Sequence, residues 1–100
     1  MKISEIQIIP VKAQDGLVAF ASVIVNCELY LGSIAIHSRR DGRGYRLTFP
    51  TKLIAGKNIN IYHPINKTTS VAFEKAIITK YKEVMKGNYE NTDENEIKTF

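Results

Sequence analysis

Four arginines, Arg39, Arg40, Arg43 and Arg46, fall within eight residues of this 100-residue chain, opposed locally only by Asp41. A guanidinium is a planar fork of donors that keeps its charge and matches the oxygens of a phosphate. Lys52 and Lys57 follow in the next segment. These six cations form a candidate phosphate-contacting surface, the kind that positions a protein on a nucleic-acid backbone. The same charges would also keep a hairpin tip soluble and discourage edge-to-edge pairing, so two roles stay open for them.

A second basic group lies further on. Lys75, Lys82 and Lys86 fall within about 40° of one another when wound on a helix. Such a stripe can track phosphates, with Tyr62 or Tyr45 available to stack on bases. It is also what the exposed face of an amphipathic helix looks like.

Catalysis is not expected. His37 and His63 stand apart, and neither has metal-ligand spacing to a second histidine or to Cys27. His63 precedes a proline and reads as a hydrogen-bonding strut. Gly42 and Gly44 lead into a strand rather than a helix, so no helix N-terminus follows to hold a phosphate. No cofactor or metal is implied. Cys27 lies in a strand-like run between Val25 and Leu29 and is expected to be a buried, inert thiol.

The elements that must carry these groups are mostly strands. Ile6, Ile8 and Pro10 alternate with Gln7, Ile9 and Val11, and Pro10 suggests an edge position or a strand end. Asp15-Gly16 supplies the positive φ of a tight hairpin. Leu17 to Val25 is apolar on both alternating faces, which predicts a central strand covered on both sides. Glu28 to Ser38 continues as strand, with Gly32 hinting at a bulge or a close contact. Arg39 to Gly44 is a polar hairpin loop. Beyond it Tyr45, Leu47 and Phe49 point one way and Arg46 and Thr48 the other. Thr51 to Lys57 reads as a loop with a second glycine turn, and Ile59 with Ile61 as the last short strand.

From about Thr69 to Lys86 the period becomes helical, with Phe73, Ile77, Tyr81 and Val84 on one face. Asn66, Thr68 and Thr69 can cap its start, and Gly87 its end. The fold expected is α+β: a strongly twisted antiparallel sheet of about five or six strands followed by one C-terminal helix. Residues 1–86 form one globular domain, and residues 87–100 a short, acidic, disordered tail.

Composition is compatible with this. Hydrophobic residues make up 44% and charged residues 24%, an ordinary globular balance. No run approaches the length of a membrane span, the N-terminus lacks a signal-peptide core, and one cysteine suits a reducing compartment; a cytoplasmic protein is expected. The net charge of +4 conceals an asymmetry. Residues 1–86 hold 13 basic against 6 acidic side chains, or +7, and residues 87–100 hold one against four, or −3. A basic body with an acidic tail occurs in nucleic-acid binders and in many other basic proteins.

Three blocks then carry a family resemblance: Phe20-Ala21-Ser22-Val23-Ile24-Val25, Leu47-Thr48-Phe49-Pro50-Thr51-Lys52, and Asn60-Ile61-Tyr62-His63-Pro64-Ile65-Asn66. In order and spacing, from about Met1 to Met85, they resemble the SpoVG family of stage V sporulation (septation) regulators. The resemblance implies a twisted antiparallel sheet with a packed helix, a homodimer, and DNA and RNA binding in gene regulation. Family binding is attributed to basic positions around a Pro-Ser-Lys segment, to which Lys52 corresponds, and to the helix start. This chain departs from the pattern at Ala35, Asn60, Tyr62, Ser70 and Val71, so it resembles a divergent member. The expectation is a non-catalytic dimeric nucleic-acid-binding regulator. The alternative is a dimeric structural or protein-interaction module whose basic surface only aids solubility.

Overall fold

The structure, a computed structural model, describes residues 1–95, with side chains to residue 86. Four strands form an antiparallel meander in the order β1 (Ile3–Gln14), β2 (Leu17–Val25), β3 (Leu29–Ser38) and β4 (Tyr45–Thr48). A separate two-stranded hairpin, β5 (Thr51–Ile54) and β6 (Lys57–Asn60), precedes the helix α1 (Lys67–Asn95). The fold is α+β, with six strands and one C-terminal helix.

The turns follow from their residues. Asp15 and Gly16 both have positive φ, at 55° and 90°, and link Gln14 to Leu17 across a two-residue turn. Ala55 and Gly56 do the same between Ile54 and Lys57. Primed turns of this kind match the twist of paired strands. Between β2 and β3, Asn26 and Cys27 take φ of 55° and 57°, and the Glu28 amide donates to the Val25 carbonyl at 3.0 Å. Cys27 is therefore exposed at a turn, where the Lys2 ammonium lies 3.9 Å from its sulfur. The buried thiol expected from its neighbours is corrected by this turn.

Two bulges bend the sheet at one place. Ala21 pairs with Ile34 and Val23 with Leu31, so Gly32 and Ser33 together oppose Ser22. On the other side Ser4 pairs with Ile24 and Gln7 with Ser22, leaving Glu5 and Ile6 opposite Val23. Glu5 and Ser33 both have positive φ. Extra residues of this kind sharpen local twist, so the sheet coils most strongly about Ser22 and Val23. Pro10 lies on the edge strand, where its missing amide costs no ladder bond.

The core lies between one sheet face and the helix. Ala19, Ala21, Val23 and Val25 from β2 and Ile34 and Ile36 from β3 meet Phe73, Ile77 and Tyr81, spaced four apart on α1. Phe49 and Tyr45 extend it by edge-to-face packing, with ring centroids 5.6 Å from Phe73 and 5.0 Å from Tyr81 respectively. Asn66 caps the helix: its side-chain oxygen accepts from the Thr69 amide at 2.8 Å.

Further expectations change. β2 is central but covered on one face only, since Phe20 on its other face is exposed. The segment expected as a loop from Thr51 contains β5, while Ile61 falls just outside β6 and donates its amide to the Pro50 carbonyl at 3.0 Å. The helix runs through Gly87 instead of ending there, because one interior glycine costs only about 1 kcal/mol. Of the tail expected from residue 87, residues 87–95 continue the helix backbone and 96–100 lie outside the described residues. Among the described residues no helix is long and apolar enough to cross a membrane.

Candidate nucleic-acid interface

An up-and-down meander puts alternate turns at the same end of the sheet. The Asp15-Gly16 turn and the Arg39–Gly44 loop therefore share one end, and Ser38 ties them together by donating its amide to the Gly16 carbonyl at 2.8 Å. Between them lies a cleft of about 650 Å³ lined by Asp15, Gly16, Ser38, Arg39, Arg40 and Arg46. Three of the four predicted arginines thus converge. Arg43 stands exposed in the same loop, which is shaped by its amide donating to the Asp41 carboxylate at 2.9 Å.

Arg46 and Arg39 reach the cleft from different directions. Arg46 belongs to β4 and projects from the face opposite the core, its guanidinium 3.5 Å from the Thr48 hydroxyl. Its register partner is His37, whose pKa lies below the usual value because of burial and then the Arg46 charge. Neutral His37 leaves the cleft's charge to the arginines, tempered by Asp15. Sequence reasoning missed Asp15 and the cleft walls Gly16 and Ser38. The signal that could have found them is the up-and-down order of the strands, which brings the Asp15-Gly16 turn beside the end of β3, where Leu17 pairs with His37.

The lysines sit elsewhere. Lys52 lies near the base of the β5–β6 hairpin and Lys57 at its tip, both exposed, on a sheet that does not pair with the main one. On the helix, Lys75 and Lys82 line one shallow groove with Glu74, Val71, Ile78 and Thr79, and Lys86 follows one turn later, exposed. Lys82 adjoins Tyr81, which packs on Tyr45 at the start of β4, so this part of the stripe approaches the arginine end. The nine predicted cations therefore divide among three surfaces.

The tyrosines proposed for stacking are engaged in packing. Tyr45 is half-buried against Tyr81, and Tyr62 against Phe49 at 5.9 Å. The Tyr62 hydroxyl donates to the Gly32 carbonyl, and burial followed by the neighbouring Tyr30 pushes its pKa up to about 12. Neither ring offers a free face to a base. His63 is exposed, with Nδ1 3.0 Å from the carbonyl of the adjacent Pro64. Among the described residues, no group of three His, Cys, Asp or Glu side chains converges as metal ligands.

At the opposite end of the core an apolar groove of about 380 Å³ opens between Leu29, Leu31, Phe49 and the start of the helix at Phe73. The β5–β6 hairpin leaves the body near it, with all eight of its residues exposed, including Leu53, Ile54 and Ile59.

A coiled antiparallel meander backed by one helix, with a basic rim at one end and a separate apolar hairpin beyond, defines a small α+β protein. The SpoVG family model matches residues 1–83, and the chain belongs to that family. Membership supports a SpoVG-like regulatory role of the septation and sporulation regulator class. No curated protein sequence matches the chain.

Proposed function

We propose that this protein is a non-catalytic, homodimeric regulator that binds nucleic acid, DNA or RNA or both, in the cytoplasm. The observation that carries the binding is the convergence of Arg39, Arg40 and Arg46 on one cleft. Convergent guanidinium groups at a sheet end seat phosphate oxygens, whereas charges that serve only solubility gain nothing by converging. Arg43 extends this surface, Lys82 and Lys86 flank it from the helix, and Lys52 and Lys57 reach phosphates from the hairpin. Lys75 lies two turns before Lys82 on the same helix groove.

Dimerisation is supported by the β5–β6 hairpin. A free two-stranded hairpin is marginal in water, and this one exposes Leu53 at 68% together with Ile54 and Ile59. An isologous exchange of this arm for the partner's apolar groove would cover both surfaces. The exposed Cys27 thiol suits a reducing compartment.

The test is a titration of labelled duplex and single-stranded oligonucleotides at two salt concentrations. On B-DNA, log K should fall by about 0.9 per neutralised phosphate as log salt rises. Replacing Arg39, Arg40 and Arg43 with alanine should weaken binding alike on unrelated sequences. It should also lower that slope by about one for each phosphate left without its arginine. A triple variant that stays folded and binds undiminished moves the site elsewhere. The same hairpin also favours a second reading, a dimeric structural or protein-interaction module without nucleic-acid binding. An absence of binding even at low salt, with dimers still present in sedimentation, would select it.

A further inference from the structure

The sheet face turned away from the helix holds a feature the arginine cleft does not explain. Phe20, Ser22 and Ile24 alternate onto this face from β2, and Ile9 pairs with Phe20 while Tyr30 pairs with Ile24. Between these rings lies a cavity of about 330 Å³ lined by Ile9, Phe20, Ser22, Tyr30 and Ser33. That is the lower end of the size range for small-ligand sites.

Two observations mark it as more than a leftover apolar patch. The first is Ser22. Its residue is 7% exposed and lines the cavity, with Ser33 beside it on the bulge. Among the described residues no buried side-chain oxygen lacks a partner, so these two hydroxyls give the cavity a polar edge without an orphaned group.

The second is Tyr30. A Cβ on Gly32 would come within 2.9 Å of the Tyr30 hydroxyl and 3.0 Å of its ring. The ring therefore lies across Gly32, in space that only a residue without a side chain leaves open. Held there it remains 66% exposed. A ring laid along a sheet with most of its surface in water is a stacking platform. Phe20, 36% exposed on the neighbouring central strand, borders the same cavity.

Charge on this face has the sign a polyanion needs. Arg46 projects from it, with Arg39 and Arg40 at its end. Aromatic rings on the central strands of a four-stranded antiparallel sheet, with cations at the margin, bind unpaired bases by stacking while the backbone meets the charge.

We propose that the open face of the sheet is a base-stacking platform for single-stranded nucleic acid, with Tyr30 and Phe20 holding a base and Ser22 and Ser33 meeting its polar edge. This rests on the nucleic-acid reading above and adds to it a preference for unpaired strands. Bases inside a duplex present no free face, so a duplex would engage the arginine cleft alone.

The probe is a 12-nucleotide DNA strand carrying 2-aminopurine near its centre, compared with the same strand in a duplex. Tyr30→Ala should weaken the single strand roughly five- to 150-fold, the range for losing one stacked base, and leave duplex affinity unchanged. It should also abolish the fluorescence quench that stacking gives the wild type, while Tyr30→Phe retains both affinity and quench. Gly32→Ala, which lifts the ring, should behave like Tyr30→Ala. If the wild type binds both probes and Tyr30→Ala binds both equally well, the platform is wrong and the arginine cleft survives. If the wild type binds neither, the nucleic-acid reading itself fails. A Tyr30→Ala protein that sediments as monomer where the wild type is dimeric would make this face an interface between copies and overturn the inference.

Discussion

The main sheet and the β5–β6 hairpin use the same covalent devices and reach opposite outcomes. Each has antiparallel pairing, and each is turned by two residues of positive φ, Asp15-Gly16 in one and Ala55-Gly56 in the other. Yet Val23, Ile34 and Ile36 of the main sheet are fully buried, and every residue of the hairpin is exposed. The ladder of backbone bonds is common to both, so it cannot be what separates a core from an arm. Burial against Phe73, Ile77 and Tyr81 separates them. Exchanging water partners for protein partners gains only about 1 kcal/mol per hydrogen bond, whereas burying one large aliphatic side chain gains ~1.5–3 kcal/mol.

The contrast can be broken most directly at its centre. Ile36→Ala should cost about 2–5 kcal/mol in chemical denaturation, because the cavity left between β3 and α1 has no way to fill. Leu53→Ala in the hairpin should cost no more than about 0.5 kcal/mol in the monomer. Equal losses at the two sites would refute the division between core and arm.

A smaller effect is expected where the helix is attached. Asn66→Ala removes the acceptor for the Thr69 amide and should destabilise by about 1 kcal/mol. Thermal melting followed at 222 nm should fall by about 4–8 °C, and Asn66→Asp or Asn66→Ser should restore most of it. If Asn66→Ala left the melt unmoved, another group would have to cap the helix.

The smallest effect concerns pH. His37 is held below its ordinary pKa of 6.5 by burial and by Arg46. In the window between its folded and unfolded values the unfolded chain binds more protons, so stability is present above pH 6.5 and declines as pH falls through the folded value. His37→Gln should flatten the stability profile in that window. A profile of unchanged slope would show that other groups set it.

The comparison also explains which parts of the chain are legible in its sequence. The meander is readable because its apolar alternation and its Asp15-Gly16 turn agree with each other. Gly32 announces a bulge, and Phe73, Ile77 and Tyr81 announce the face that covers the sheet. Thr51 to Ile54 resembles a loop because a strand buried on neither face has no partner to impose alternation on its sequence. Cys27 misleads because apolar neighbours on both sides suggest a continuous strand, while only Asn26 hints at the turn. β2 suggests cover on two sides because its sequence is apolar on both faces. Which face stays open depends on a single helix, and that is a tertiary fact. At the candidate site the four arginines are visible as a run. Asp15, 24 residues earlier than Arg39, joins them only through the pairing of strands.

The arrangement of layers has a consequence for synthesis. Every strand of the main sheet pairs with its sequence neighbour, so residues 3–48 can begin to pair as soon as they leave the ribosome, and a hairpin closes in ~1–10 μs. Ile77, however, is 29 residues beyond Thr48, which at ribosomal speed is a delay of roughly one to six seconds. For that interval Ala19, Val23, Ile34 and Ile36 have no cover. The sheet is the first layer to be made, and its stability arrives with the last.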